Sequence, residues 1–395
     1  MKRILSSFFV LSLLLLLIGC AQEGVPAVPV ATTAAQEAPA AIGTTEASPV
    51  EEAVPEPETM SGRSLSIVST IFPQYDWVRE LLGARAGDMD LTFLISSTID
   101  LHSFTPSVSD IATISDADLF IYVGGDSDDW VEAALRQARN QDMIVINLLD
   151  VLGDGVKLEE IIEGMQHDHD DCDSNDPDDC DDDSHNHGHS HGHSHSHDHE
   201  DEEDDHIDND EGGHHHGETD EHVWLSLRNA VAFCYAIRDA LTELDPDNTD
   251  LYAGNLEKYS DKLLGLDEEY ATILDNLENR TLLFADRFPF RYLVDDYRLN
   301  YYAAFTGCSA ETEASFSTII FLAGRVDALG LDTVMITESG NRAIAETVIS
   351  NTTAGNQQIL ELDSMQSVTR ADIDNGVTYL SIMENNLQIL KQALS

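Results

Sequence analysis

The stretch Tyr252-Ala-Gly-Asn-Leu-Glu-Lys-Tyr-Ser-Asp-Lys-Leu-Leu-Gly-Leu-Asp-Glu-Glu-Tyr-Ala-Thr-Ile-Leu-Asp-Asn-Leu277 decides how this chain is organised. Its apolar positions Tyr252, Leu256, Tyr259, Leu263, Leu266, Tyr270, Ile273 and Leu277 step by 4, 3, 4, 3, 4, 3 and 4 residues. That is the period of one face of an α-helix. Asp245-Pro246 marks where the helix opens. About 30 residues at 1.5 Å each make a rod of roughly 45 Å. So short a seam suits a connecting spine, expected over 246–279, better than a coiled coil.

Strands and helices alternate on both sides of the spine. Before it, 64–70, 90–95, 118–123 and 142–147 are short apolar runs of strand type, with helical patterns at 74–82 and 129–137. After it, the runs are 281–285, 300–305, 332–337 and 358–362, with helices expected at 315–329 and 371–393. A βα alternation implies parallel sheets. The predicted fold is therefore α/β: two similar lobes, 63–245 and 280–395, each a mainly parallel four-stranded sheet with flanking helices, joined by one long rigid helix. Such a spine permits small rocking on ligand binding, not wide closure.

The charge narrows the functional classes. Lys and Arg number 20 against 74 Asp and Glu, a formal charge of -54 over 395 residues. A nucleic-acid partner is set aside, because phosphate binding needs a basic surface. An acidic surface attracts cations instead. Met1-Lys-Arg3 followed by apolar residues up to Ile18 reads as a secretory signal, too short for a comfortable bilayer span. It ends in Leu17-Ile-Gly-Cys20, which resembles a bacterial lipobox and points to lipidation at Cys20 and a cell-surface anchor on the outer face of the cytoplasmic membrane. Residues 21–62, rich in Ala, Pro, Thr and Glu, bury too little to fold and form a tether.

Residues 167–220 hold 14 of the 16 histidines and 22 acidic residues, with no Lys or Arg. Without apolar periodicity this insert is expected to be disordered. Imidazole and carboxylate donors suit zinc and neighbouring divalent ions. Many equivalent donors imply several weak, exchanging sites. Cys172 and Cys180 within it lie close enough in sequence to close a small ring, although sequence alone does not establish the pairing.

Only His102 and His222 fall outside the insert. Lone histidines are more often hydrogen-bonded core or surface residues, so placement is what singles these out. His102 occupies the loop after the second strand run, where ligands collect in open α/β sheets. His222 stands just before a helical pattern. Asp286 and Glu338 follow strand runs in the second half. One imidazole from each of two loops and two carboxylates from the far lobe give a mixed N/O set for a divalent cation. Glu338 equally suits pairing with Arg342 or capping the next helix.

Several stretches together resemble the zinc/manganese substrate-binding lipoproteins of bacterial ABC importers, over roughly 64–393. Ile67-Val-Ser-Thr-Ile-Phe-Pro-Gln-Tyr75 is similar to that family's opening strand and turn. His102-Ser-Phe-Thr-Pro-Ser-Val-Ser-Asp110 resembles its first-ligand motif, and Asp220-Glu-His-Val-Trp-Leu225 its second, with Glu221 where Pro is usual. An acidic His-rich insert just before the second motif is similar to the zinc-importing branch. The resemblance implies a high-affinity receptor, not an enzyme, that delivers Zn²⁺ to an ABC permease and its ATPase and works as a monomer. It implies His102 and His222 as metal ligands. It places the usual third ligand at Ala285 in Ala285-Asp-Arg-Phe288, leaving Asp286 as the substitute, and a fourth carboxylate near Asn341, leaving Glu338. Glu311 and Glu313 are outside candidates. Manganese favours more oxygen donors, so two imidazoles favour zinc. A zinc hydrolase lacks its His-Glu-x-x-His helix here. A surface scavenger or adhesin acting through the insert alone is the remaining rival.

Overall fold

A computed structural model of the chain describes residues 64–96, 99–166, 218–307, 309 and 313–395. The signal, Cys20, the tether, nearly all of the insert with Cys172 and Cys180, and Glu311 lie outside them. All eight expected strands form. In the first lobe they are β1 (Ser66–Ser69), β2 (Asp90–Phe93), β3 (Leu119–Tyr122) and β4 (Ile144–Asn147), parallel in the order β2-β1-β3-β4. The second lobe carries β5 (Thr281–Phe288), β6 (Asn300–Thr306), β7 (Thr333–Thr337) and β8 (Gln358–Leu362), parallel in the order β6-β5-β7-β8. The two sheets share one topology. In each, the chain leaves the first strand to one side and returns on the other, so a crevice opens at the carboxyl ends between first and third strands. Helices on both faces explain the continuously apolar strands, such as the fully buried Thr333-Val-Met-Ile-Thr337.

The spine helix is Thr249–Asp275, after a 3-10 turn at Pro246–Asn248. Tyr252, Leu256, Tyr259, Leu263, Leu266 and Tyr270 are buried, as the 4-3 stepping requires, whereas Ile273 is half-buried and Leu277 lies beyond the helix end, which falls short of the expected 279. They join one core that runs through both lobes, from Trp77 and Phe233 to Phe284, Tyr379 and Leu387. The Tyr270 hydroxyl donates to the Met383 carbonyl at 2.5 Å, which ties the spine to the last helix.

Two expectations need correction. The single helix expected over 371–393 is two, Arg370–Asp374 and Tyr379–Ala393. Gly376 takes φ 91°, which a continuing helix does not allow, and Thr378 caps the second helix by accepting from the Ser381 N–H. The strand expected to stop at Ala285 runs on to Phe288, with a register shift between Phe284 and Arg287. Asp286 therefore lies inside β5, at a bulge, and not in the loop beyond it.

Asp245 anchors the start of the spine. Its carboxylate accepts from the Arg85 guanidinium, from Asn248 Nδ2 and from the Tyr252 hydroxyl at 2.6 Å. Arg85 and Asp245 are 6% and 5% exposed. Removing one partner of so buried a pair strands the other charge. Asp245→Ala is expected to cost roughly 3–5 kcal/mol of unfolding free energy, read as a lower urea midpoint with an unchanged slope.

Candidate metal centre

His102 sits in a 3-10 turn, Leu101–Ser103, just beyond the carboxyl end of β2. Leu101 is buried and pins the turn to the core. The Asp100 carboxylate accepts from the His102 N–H at 3.0 Å, which sets where the ring emerges. Ser107 and Asp110 then form a capping box that starts the next helix, Val108–Ser115. His102 Nδ1 lies 2.7 Å from Ser127 Oγ and 3.5 Å from Glu221 Oε2. Beside the ring opens a cavity of about 250 Å³ lined by Asp126, Ser127, Glu218, Thr219 and Glu221.

His222 is fully buried, in a segment where every residue from Asp220 to Ser226 is buried. Asp220 Oδ1 accepts from the His222 N–H at 2.9 Å and faces its Nδ1 at 3.1 Å. The second lobe grips this segment. Tyr292 Oη donates to the Asp220 carbonyl, Trp224 Nε1 to the Ser364 carbonyl and Tyr379 Oη to the Trp224 carbonyl, at 3.0, 2.9 and 2.7 Å. Gly307, just past β6, faces the ring. A Cβ there would stand 3.1 Å from His222 Cε1 and 2.9 Å from the Phe288 carbonyl, so only glycine fits.

The two rings meet. His102 Nε2 and His222 Nε2 are 3.2 Å apart, with ring centroids at 5.1 Å. Two imidazoles on one tetrahedral zinc, each with a bond of about 2.05 Å, would hold their nitrogens about 3.3 Å apart. Both Nδ1 atoms are occupied by Ser127 and Asp220, which fixes the ring orientations and turns each Nε2 inward.

Two protons do not fit this pair. Burial alone would lower the His222 pKa, but the charge and hydrogen bond of Asp220, with Asp100 and Glu221, hold it above the ordinary value. Burial and the neighbouring His222 charge push His102 down to about 4, against the opposing pull of Asp100. The surroundings thus favour a proton on His222 and disfavour one on His102. Burial works to raise the Asp100 carboxyl, yet the His102 and Arg287 charges hold it below the usual range. Burial raises Glu221 in spite of its bonds from Ser127.

The second-lobe carboxylates are engaged elsewhere. Asp286 Oδ2 accepts from the Thr337 N–H at 2.8 Å and its hydroxyl at 2.6 Å, and fills the space where Gly340 would carry a side chain. The Glu338 carboxylate accepts from the Ser364 N–H at 2.8 Å and the Gln366 N–H at 3.0 Å. It thereby shapes the loop whose Ser364 carbonyl receives Trp224, a role distinct from pairing with Arg342. Among the described residues, no group of three or more His, Cys, Asp and Glu side chains is gathered as a ready metal cage. Ala285 packs into the second-lobe core. From that segment the bulged strand instead sends Arg287 towards the rings, with Nη1 2.8 Å from Asp100 Oδ2. Asp100 and Arg287 are missing from the sequence-derived set. For Asp100 a signal was present: both histidines follow an aspartate two residues earlier, in Asp100-Leu-His102 and Asp220-Glu-His222.

Fold and site together define a two-lobed α/β binding protein with a paired-imidazole centre at a strand-end crevice. The chain belongs to the zinc-uptake complex component A family (periplasmic, ZnuA), which matches residues 67–393. It is 29% identical over 328 residues to the zinc-binding lipoprotein AdcA of Streptococcus pneumoniae serotype 4, covering 83% of this chain and 55% of that protein. The chain thus spans about half the length of the AdcA relatives it matches. It is 27% identical over 333 residues to the high-affinity zinc uptake system protein ZnuA of Bacillus subtilis, covering 84% and 88%. The Zn(II)-bound ZnuA-like domain of Streptococcus pneumoniae AdcA superposes with a TM-score of 0.59 at 25% identity, covering 84% of this chain and 99% of that one.

Asp220 raises the His222 pKa, so stability from its proton is present below the ordinary histidine value and fades as pH rises through the folded value. Asp220→Asn is expected to move the His222 ring titration to lower pH, followed by its carbon-bound proton resonances. An unmoved titration would remove Asp220 from this role.

Proposed function

We propose that this chain is an extracellular zinc receptor that captures Zn²⁺ between His102 and His222 and passes it to an ABC-type membrane importer. The observation that carries the reading is the 3.2 Å approach of the two Nε2 atoms, each ring braced at Nδ1. It matches the nitrogen spacing of one tetrahedral zinc. Relatives named for zinc binding and zinc uptake support the choice of ion. Two nitrogen donors favour zinc over manganese.

The partners that follow are a permease and its ATPase. The proposed anchor is a lipid on Cys20, with 21–62 as a tether. Among the described residues no helix is long and apolar enough to cross a membrane. The His-rich segment would raise the local zinc concentration beside the acidic cavity at His102, whose wall includes Glu218, one residue past the undescribed stretch. The core shared through the spine restricts the lobes to small rocking. A tight site releases slowly, so hand-off needs the docked permease to disturb it.

Zinc needs His222 Nε2 unprotonated, so binding weakens as pH falls through its raised pKa. In a variant lacking 167–217, calorimetry should show one tight zinc site that releases about one proton in the range where His222 is charged. His102→Ala and His222→Ala should each weaken it at least about 100-fold. Unchanged affinity in both variants would refute the assignment. Loss of nearly all binding on deletion of 167–217 alone would favour the scavenger reading.

A further inference from the structure

We propose, resting on the reading of the imidazole pair as a zinc site, that Asp100 supplies the oxygen ligand that completes it and that Arg287 competes with zinc for that carboxylate. The argument begins with the repeated Asp-x-His pattern. Asp100 and Asp220 do the same first job, each accepting from the N–H of its own histidine, at 3.0 and 2.9 Å. They differ in the second. Asp220 is also spent on His222 Nδ1. Asp100 is not needed at His102 Nδ1, which Ser127 holds, and its Oδ1 lies 3.9 Å from His102 Nε2, the atom that faces the other ring.

The other carboxylates nearby are excluded by geometry. Glu221 meets His102 at the opposite edge, 3.5 Å from Nδ1. Asp286 is turned by Oδ2 onto the N–H and hydroxyl of Thr337, and both Glu338 oxygens accept from Ser364 and Gln366, all in the second lobe. That leaves Asp100 as the anionic oxygen on the coordinating side, and its other oxygen, Oδ2, holds Arg287 at 2.8 Å. A small rotation of the carboxylate would bring an oxygen to the roughly 2.0–2.2 Å that zinc requires.

A guanidinium and a divalent ion repel one another and want the same carboxylate. Arg287 is 23% exposed and has a second acceptor at hand in the Ser309 carbonyl, 3.5 Å from Nη1, so it has somewhere to go. It belongs to β5 of the second lobe, whereas Asp100, His102 and His222 belong to the first. Zinc loading would therefore cut an ion pair between lobes. The same guanidinium, pressed back towards Asp100, would help expel the ion.

The test is a double-mutant cycle on the full-length chain, titrating zinc against a chelator tight enough to keep weak sites empty. Indole emission is the readout, because Trp224 lies 5.3 Å from the His222 ring and the three tryptophans, Trp77, Trp130 and Trp224, all lie outside the insert. Asp100→Asn, which keeps an acceptor for the His102 N–H, should weaken zinc by about 10- to 100-fold. Arg287→Gln should tighten it about 10-fold, and should change it less than about twofold when Asp100→Asn is already present. Equal effects of Arg287→Gln in both backgrounds, weaker binding in Arg287→Gln, or unchanged affinity in Asp100→Asn would each overturn the proposal. His222→Ala is the control. If it leaves the tight site intact, the imidazole-pair reading fails as well; if it abolishes the site while Asp100→Asn does not, only the present inference fails.

Discussion

Everything at the centre depends on burying a histidine without leaving its ring nitrogens to chance. The chain between Asp220 and Ser226 is wedged between two lobes and almost wholly buried. Each polar group there needs a protein partner, because an unsatisfied buried donor or acceptor is costly. Asp220 serves His222 twice, Trp224 reaches across to Ser364, and Tyr292 and Tyr379 reach back. The result is an imidazole with one nitrogen fixed and the other aimed at His102. A rigid ring at this seam lets the first lobe present two nitrogens at metal-binding spacing, while the second lobe supplies the wall.

That constraint explains why the fold was more legible than the site. Strand and helix periods come from burial, which acts residue by residue, so all eight strands and the Tyr252-to-Tyr270 stripe could be read directly. Local backbone freedom was harder to see. Gly376 breaks an apolar pattern that otherwise continues, and the bulge at Ala285 and Asp286 carries β5 three residues past its apparent end. The histidines stood out because only two lay outside the insert. The remaining members depend on which way a side chain turns. Asp286 and Glu338 follow apolar runs, as expected of metal ligands, yet Thr337 holds one Asp286 oxygen and Ser364 and Gln366 hold both of Glu338. Strand position cannot reveal that competition. The bulge likewise decides that Arg287, and not its neighbours, reaches Asp100.

Charge organises the rest. The chain carries a large excess of acid, which attracts cations without specifying one. In the proposed reading, specificity comes from the two nitrogens and from how few oxygens can join them. The centre holds carboxylates from Asp100, Asp220 and Glu221 beside the Arg287 guanidinium and a His222 ring whose protonated form they favour. Under the proposed reading, an incoming divalent ion would displace these positive charges, and they would help expel it when the lobes are disturbed.

The most direct measurement is anomalous diffraction at the zinc edge from crystals grown with one equivalent of zinc per chain. A single strong peak about 2.0–2.1 Å from both His102 Nε2 and His222 Nε2 is the predicted result. A peak bound to only one of these rings, or to neither, would contradict the account.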